Sequence, residues 1–296
     1  MFGVYFGKYL QDKGILTNEQ YESIMSDKEN TRVKMGLLAV EAGYMTNAQA
    51  EEVNTLQQLQ DKRFGDIAIE KGYLSEDEVQ DLLERQGDEY LLFVQALIQH
   101  DILTLEQIQT ELNTYKKTAH YTALDMEALK SGDVDRIVPI FIKDGSIPQI
   151  MKDYVALTAR NIVRFIDRFF RMEKVERITD YTTPFVAAQE LIGDYKMFAG
   201  FCGEGEGIKK IAEEFADELF DCVDIDALDA ACEFLNCNNG LFARKLSDEN
   251  VEVDMCPPIM KSEKTIIRSK EDMFKISFYV KDSAVDLLLG FGTELS

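Results

Sequence analysis

Apolar and polar positions in the first part of the chain recur with a period of 29. Phe6, Met35, Phe64 and Phe93 share one place in that pattern, and Gly14, Gly43, Gly72 and Asp101 share another. Thr17, Thr46, Ser75 and Thr104 share a third. The unit is clearest in RFGDIAIEKGYLSEDEVQDLLERQ, residues 63–86. A short amphipathic helix runs into Gly72, which suits the left-handed end of a helix. Leu74 then faces inward, Ser75 caps, and Glu78 three residues on completes a capping box for a second helix. Repeats of this period stack helical hairpins, each burying what its neighbour leaves exposed. Four 29-residue units cover residues 1–117 and predict an all-α repeat domain.

The texture changes at TAHYTALDMEALKSGDVDRIVPIFIKDGSIP, residues 118–148. Ser131-Gly132, Pro139, Gly145 and Pro148 punctuate it, so it reads as a connector holding one short helix or strand. A long helix is expected from Gln149 to Met172. Strand-like runs at Thr182–Leu191 and Lys196–Cys202, with Gly193-Asp194 as the turn, predict a hairpin. Helices follow at Gly207–Phe220 and Asp224–Leu246. Strands are then expected at Val251–Met255, Lys264–Ile267, Phe274–Val280 and Val285–Gly290. Helices grouped against mostly antiparallel strands make residues 149–296 a two-layer α+β domain.

Composition bounds what such a chain does. Its 296 residues are enough for two domains with their own cores. No apolar run approaches the ~20 residues of a membrane span, and the N-terminus lacks the pattern of a signal peptide. Five cysteines without a C-x-x-C pair fit reduced thiols in the cytoplasm. A formal net charge of −22 argues against a general nucleic-acid binder and against an anionic membrane as partner.

Conventional catalytic signatures are absent: there is no G-x-x-x-x-G-K-[ST], no H-E-x-x-H and no G-x-S-x-G. GFCGEGEG at 200–207 has the glycines of a phosphate loop, but Glu204 and Glu206 oppose an anion, so it reads as a strand-to-helix turn. His100 and His120 lie in a different half from the cysteines, so no Cys/His metal site is expected. Cys232 and Cys237 read as small packing residues rather than nucleophiles. The 224–246 helix is more informative. At about 100° per residue, Ile225, Leu228, Cys232 and Leu235 form one apolar face. Asp229, Glu233 and Asn236 fall together on the adjoining stripe.

Residues 149–290 resemble the CheC/CheX/FliY family of chemotaxis phosphatases, which act on phosphorylated CheY-type response regulators. Asp229, Glu233 and Asn236 match the family's signature, Gly240 completes E-x-x-N-x-x-x-G, and Pro257 or Pro258 stands where a closing proline is expected. The first long helix reads TARN at 158–161, with Thr158 where a second glutamate would stand, which points to the one-site CheX branch. The resemblance implies that Asn236 orients the water attacking an aspartyl phosphate and that Glu233 pairs with the receiver's lysine. Asp229 would buttress the pair. Mg²⁺ would sit on the partner response regulator, with no cofactor or metal on this chain, and two copies would pair through the sheet as a homodimer.

The repeat in turn is similar to the helical N-terminal domain of type II secretion and pilus ATPases, some of which bind cyclic di-GMP. Arg63, Gly65, Gly72 and Gln86 stand at the ligand-type positions, and Lys34, Gly36, Gly43 and Gln57 in a degraded neighbouring copy. The leading reading is a phosphatase for a CheY-type regulator. Its rivals are a non-catalytic adaptor binding a receiver through the same helix, and a cyclic-dinucleotide effector acting through the repeat.

Overall fold

The same local chemistry closes each of four helical pairs in the computed structural model, which describes all residues except 28–32, 61 and 86–87. The pairs are α1 (Phe2–Asp12) with α2 (Asn18–Asp27), α3 (Met35–Glu41) with α4 (Asn47–Gln60), α5 (Phe64–Glu70) with α6 (Glu76–Glu84), and α7 (Glu89–Gln99) with α8 (Leu105–Thr118). The first helix of each pair runs into a residue of positive φ: Gly14 at 69°, Gly43 at 75°, Gly72 at 70° and Asp101 at 54°. The next N–H then folds back on the helix, from Ile15 to the Leu10 carbonyl and from Tyr73 to that of Ala68, both at 2.9 Å. That bond satisfies a carbonyl the helix end would otherwise orphan. Thr17, Thr46, Ser75 and Thr104 then each accept a backbone N–H three residues on. Gln20, Gln49, Glu78 and Gln107 return the bond to the cap's own N–H.

These pairs do not stack in file. A Cβ on Gly7 would lie 2.5 Å from the Tyr21 ring of α2 and 3.3 Å from Phe93, and one on Gly36 would lie 3.2 Å from Phe64. The gap at the first pair's glycine is thus filled by that pair's own Tyr21 together with Phe93 of the fourth, and the gap in the second by Phe64 of the third. First packs on fourth, second on third, and α3 against α7 joins the two sets. The expected row of neighbours is therefore a nested closure, with the fourth unit returning to pack on the first while the second packs on the third.

The chain divides into two compact units, Met1–Gly132 and Asp133–Ser296. Residues 118–148, expected as a connector with one short element, contain two helices, α9 (Ala123–Ser131) and α10 (Val134–Phe141). Gly132, at φ 68°, ends α9, and the Asp133 carboxylate caps α10 by accepting the Asp135 N–H at 3.0 Å. The punctuation marks helix ends rather than missing structure. α9 packs within the first unit, on α1 and α7.

In the second unit α11 (Gln149–Phe165) is followed by nine strands and two helices among the described residues. They are β1 (Arg171–Met172), β2 (Glu176–Thr183), β3 (Phe185–Gly193), β4 (Met197–Gly203), α12 (Glu206–Ala216), α13 (Ile225–Asp248), β5 (Val253–Met255), β6 (Ile259–Lys261), β7 (Thr265–Val280), β8 (Ser283–Phe291) and β9 (Thr293–Leu295). The sheet order is β1-β7-β8-β4-β3-β5, with β2 and β9 also on β7 and β6 also on β3, and every pairing is antiparallel. This is an α+β fold, as the pattern predicts. Phe201 stacks on Phe234 of α13 across the helix-covered face. On the opposite face Val186, Phe198, Cys202, Met273 and Leu288 form a second buried cluster.

Boundaries differ where tertiary pairing decides them. Pro184 separates β2 from β3, because it has no N–H for the ladder. Two strands expected at 264–267 and 274–280 are one strand of 16 residues, whose ends pair with different partners. α11 stops at Phe165, before the expected Met172. The glycine-rich 200–207 segment is a strand-to-helix turn: Gly205 has φ 105°, and a Cβ on Gly207 would lie 2.2 Å from the Ala284 carbonyl oxygen. No described helix is long and apolar enough to cross a membrane.

α10 buries Ile137, Val138, Ile140 and Phe141 and packs on α11, and the Phe141 carbonyl accepts from the Val175 N–H. A fragment of residues 133–296 is therefore expected to melt cooperatively. One of residues 149–296, which exposes the underside of α11, should melt at least roughly 10 °C lower. Circular dichroism of the two fragments checks it, and equal melting temperatures would mean that α10 contributes nothing.

Candidate functional site

α13 starts where the Asp224 carboxylate accepts the Ala227 N–H at 3.1 Å. It buries Leu228, Cys232 and Leu235, as the pattern predicts, together with Ala231, Phe234, Asn238, Asn239 and Phe242. Ile225, expected on that face, is 60% exposed, since it is the first helical residue and precedes the contact with the sheet. Asp229, Glu233 and Asn236 are all exposed along the outward stripe, which continues through Cys237 and Leu241 to Arg244. Glu233 makes no ion pair among the described residues, so its charge is available to a partner.

Asn236 is held from beneath. Its Oδ1 accepts from Gln189 Nε2 at 3.0 Å, and Gln189, on β3, is only 3% exposed. The same Nε2 donates to the Cys256 carbonyl at 2.7 Å, while Gln189 Oε1 accepts from Asn239 Nδ2 at 2.8 Å. Tyr154 of α11 donates its hydroxyl to Asn239 Oδ1. A carbonyl only accepts, so the nitrogen of Gln189 must face Cys256, and Asn236 must then offer its oxygen. The Nδ2 of Asn236 and one lone pair of its Oδ1 are left for a partner.

A second buried network explains the TARN residues. Asn161 Nδ2 donates to Asn238 Oδ1 at 2.7 Å, and Asn238 Nδ2 donates to Thr158 Oγ1 at 3.1 Å. Thr158 and Asn161 are buried and bind α11 to α13. They present nothing outward.

Pro257 and Pro258 are exposed in the link between β5 and β6, directly after the Cys256 carbonyl that fixes Gln189. Burial, and then the charge of Asp229, push the Cys232 thiol up to about 12, so it is protonated at neutral pH and is no nucleophile. Burial raises the Cys202 thiol well above its ordinary range. Iodoacetamide at pH 8 is accordingly expected to modify the exposed Cys222 and Cys237 and to spare Cys202 and Cys232 in the folded chain. Peptide mass spectrometry reads this out, and rapid labelling of Cys232 would contradict its placement.

Among the described residues no group of three or more His, Cys, Asp or Glu side chains could hold a metal ion. Of the ligand-type positions in the repeat, Arg63 is exposed just before α5. Gly65 lets α6 cross close, since a Cβ there would lie 3.1 Å from Val79, and Gly72 supplies a helix end. Gln86 lies outside the described residues. A cavity of about 570 Å³ in this unit is lined by Gly36, Val40, Asn54 and Ile102, with Glu51, Asp101 and Glu106 and, among the described residues, no lysine or arginine. That field opposes a phosphodiester.

Sequence reasoning missed Gln189, Asn239 and Tyr154. The available signal was a lone amide after the apolar run Val186–Ala188, a place where a polar side chain needs a buried partner.

No protein-family model and no curated protein matches the chain. Among solved structures it is similar to a CheC-like superfamily protein from Shewanella sp. PV-4, at 16% identity over 47% of this chain and 95% of that one, with a TM-score of 0.42. It is also similar to the chemotaxis protein CheX from Desulfovibrio desulfuricans, at 16% identity over 50% of this chain and 100% of that one, with a TM-score of 0.40. A third likeness is to a chain of the CheX–CheY–BeF3–Mg²⁺ complex from Borrelia burgdorferi, at 12% identity over 50% of this chain and 97% of that one, with a TM-score of 0.38.

Proposed function

We propose that the second unit hydrolyses the aspartyl phosphate of a CheY-type receiver domain. The observation that carries this reading is an exposed amide, Asn236, fixed by a buried glutamine and standing three residues from an exposed carboxylate, Glu233, that makes no ion pair among the described residues, on one outward helix face. An aspartyl phosphate is an activated acyl phosphate, and its hydrolysis mainly requires a water held in line with the P–O bond. An amide can donate to and accept from that water without removing its proton. Glu233 gains nothing beside a phosphate, so its role is to pair with the receiver's lysine and set the docking angle. Asp229 lies one turn back and extends the negative field toward that lysine. Mg²⁺ belongs to the receiver's acidic pocket.

The test is loss of ³²P from a phosphorylated CheY-type receiver with and without the full chain. Equal decay rates would overturn the reading, and tight binding without faster decay would establish the adaptor instead.

The homodimer belongs to the same reading. Among the described residues β2 is hydrogen-bonded on one side only, to β7, and is the strand on which a second copy would pair, although Glu176, Arg177 and Asp180 and an irregularity between Ile178 and Asp180 protect that edge. Light scattering of the full chain at micromolar concentration is expected to give twice the monomer mass. A monomer would remove the dimer.

A further inference from the structure

We infer that Gln189 is a positioning residue: it holds Asn236 with its N–H groups turned toward the docked receiver. This rests on the phosphatase reading for its consequence, but not for its geometry. An exposed asparagine ordinarily samples several rotamers, and an amide that samples them cannot keep a water in line. Here the hold is built from beneath. Gln189 makes three hydrogen bonds, to Asn236, to the Cys256 carbonyl and from Asn239, and Asn239 is fixed in turn by the Tyr154 hydroxyl. Gln189, Asn239 and Tyr154 are buried, so the chain of bonds lies in low dielectric, where each bond polarises the next. Donation into Asn236 Oδ1 strengthens the outward N–H as a donor. The link through Cys256 also ties the proline-bearing 256–258 segment to the same amide.

A purely structural glutamine would satisfy the Cys256 carbonyl and Asn239, and its loss would lower stability alone. A positioning glutamine affects turnover without affecting docking. Gln189→Glu keeps the shape and the acceptor facing Asn239 but removes the donor facing Asn236. In the full chain, kcat for dephosphorylation of a CheY-type receiver is expected to fall about tenfold to a hundredfold, with KM changed less than about twofold. The Asn236 side-chain amide signals in the ¹⁵N spectrum, assigned by their loss in Asn236→Asp, should shift and exchange faster with solvent in the same variant. Tyr154→Phe, which loosens the far end of the chain, should move the same signals with a loss of several-fold in kcat, and it decides the matter if Gln189→Glu does not fold. Unchanged Asn236 signals in a folded variant, or an unchanged kcat, would overturn the inference. A wild-type chain without phosphatase activity would overturn the function, while the Asn236 signals would still decide whether Gln189 holds the amide.

Discussion

Asn236→Ala is expected to slow dephosphorylation of a CheY-type receiver by roughly a hundredfold or more, the scale of effect when a reacting group loses its alignment. The fold should survive, because Asn236 is exposed and its only side-chain hydrogen bond among the described residues is the one from Gln189, which keeps its bond to the Cys256 carbonyl. Surface substitutions of this kind usually change stability by no more than about 0.5 kcal/mol. Glu233→Ala should act differently, raising KM with a smaller effect on kcat, and Glu233→Lys should raise it further by setting like charges against each other. The Glu233 effect should shrink at high salt, as expected for an exposed charge pair. Single-turnover ³²P release separates the two. Wild-type turnover by Asn236→Ala would remove the amide from the mechanism.

Gly207→Ala is expected to lower the melting temperature of the second unit by roughly 10 °C, a large effect for the addition of one methyl group. Helix propensity alone gives the opposite sign, since alanine is favoured over glycine inside a helix by about 1 kcal/mol. The contact decides. A Cβ at this position would lie 2.2 Å from the Ala284 carbonyl oxygen and 2.6 Å from its carbon. Those atoms belong to the backbone of β8, paired with β7 through Ala284 and Tyr279, and cannot rotate away as a side chain would. The first turn of α12 would have to lift from the hairpin, breaking the packing of Ile208 and Ile211. Thermal unfolding by circular dichroism gives the sign directly, and an equal or higher melting temperature would show that α12 does not sit on the hairpin at this distance.

What could be read from the sequence divides along a physical line. Helix ends and caps are decided by a few adjacent residues. Gly72 at φ 70° and the Ser75–Glu78 box are therefore legible in GYLSEDE, and the same signals recur in the other copies. The outward placement of Asp229, Glu233 and Asn236 follows from helical periodicity, which is equally local. Pairing over long separations is not legible. Nothing near Gly7 in the sequence announces Phe93, and nothing near Asn236 announces Gln189. The Gly132-Asp133 step shows the same limit in another form. Turn-forming residues are visible, but whether they end a helix or interrupt a loop depends on whether Ile137 and Phe141 find a surface to cover. For Ile225, periodicity gave the right direction around the helix, while exposure was set by where the helix first meets the sheet.

The nested closure of the first unit has a consequence for its synthesis. Phe93, which packs at Gly7 beside Tyr21, is made roughly 90 residues after that glycine, since each adjacent hairpin is made before its distant partner exists. At about 5–20 residues per second, the side of α1 that meets α7 waits roughly 4–18 s for it. An open array of the same repeats would add each hairpin to a finished neighbour. This unit instead carries Phe2 and Phe6 of its first helix without the Tyr90, Phe93 and Tyr115 rings they meet, covered only from the α2 side, while the rest of the unit is made, which makes α1 the segment a nascent-chain chaperone would hold.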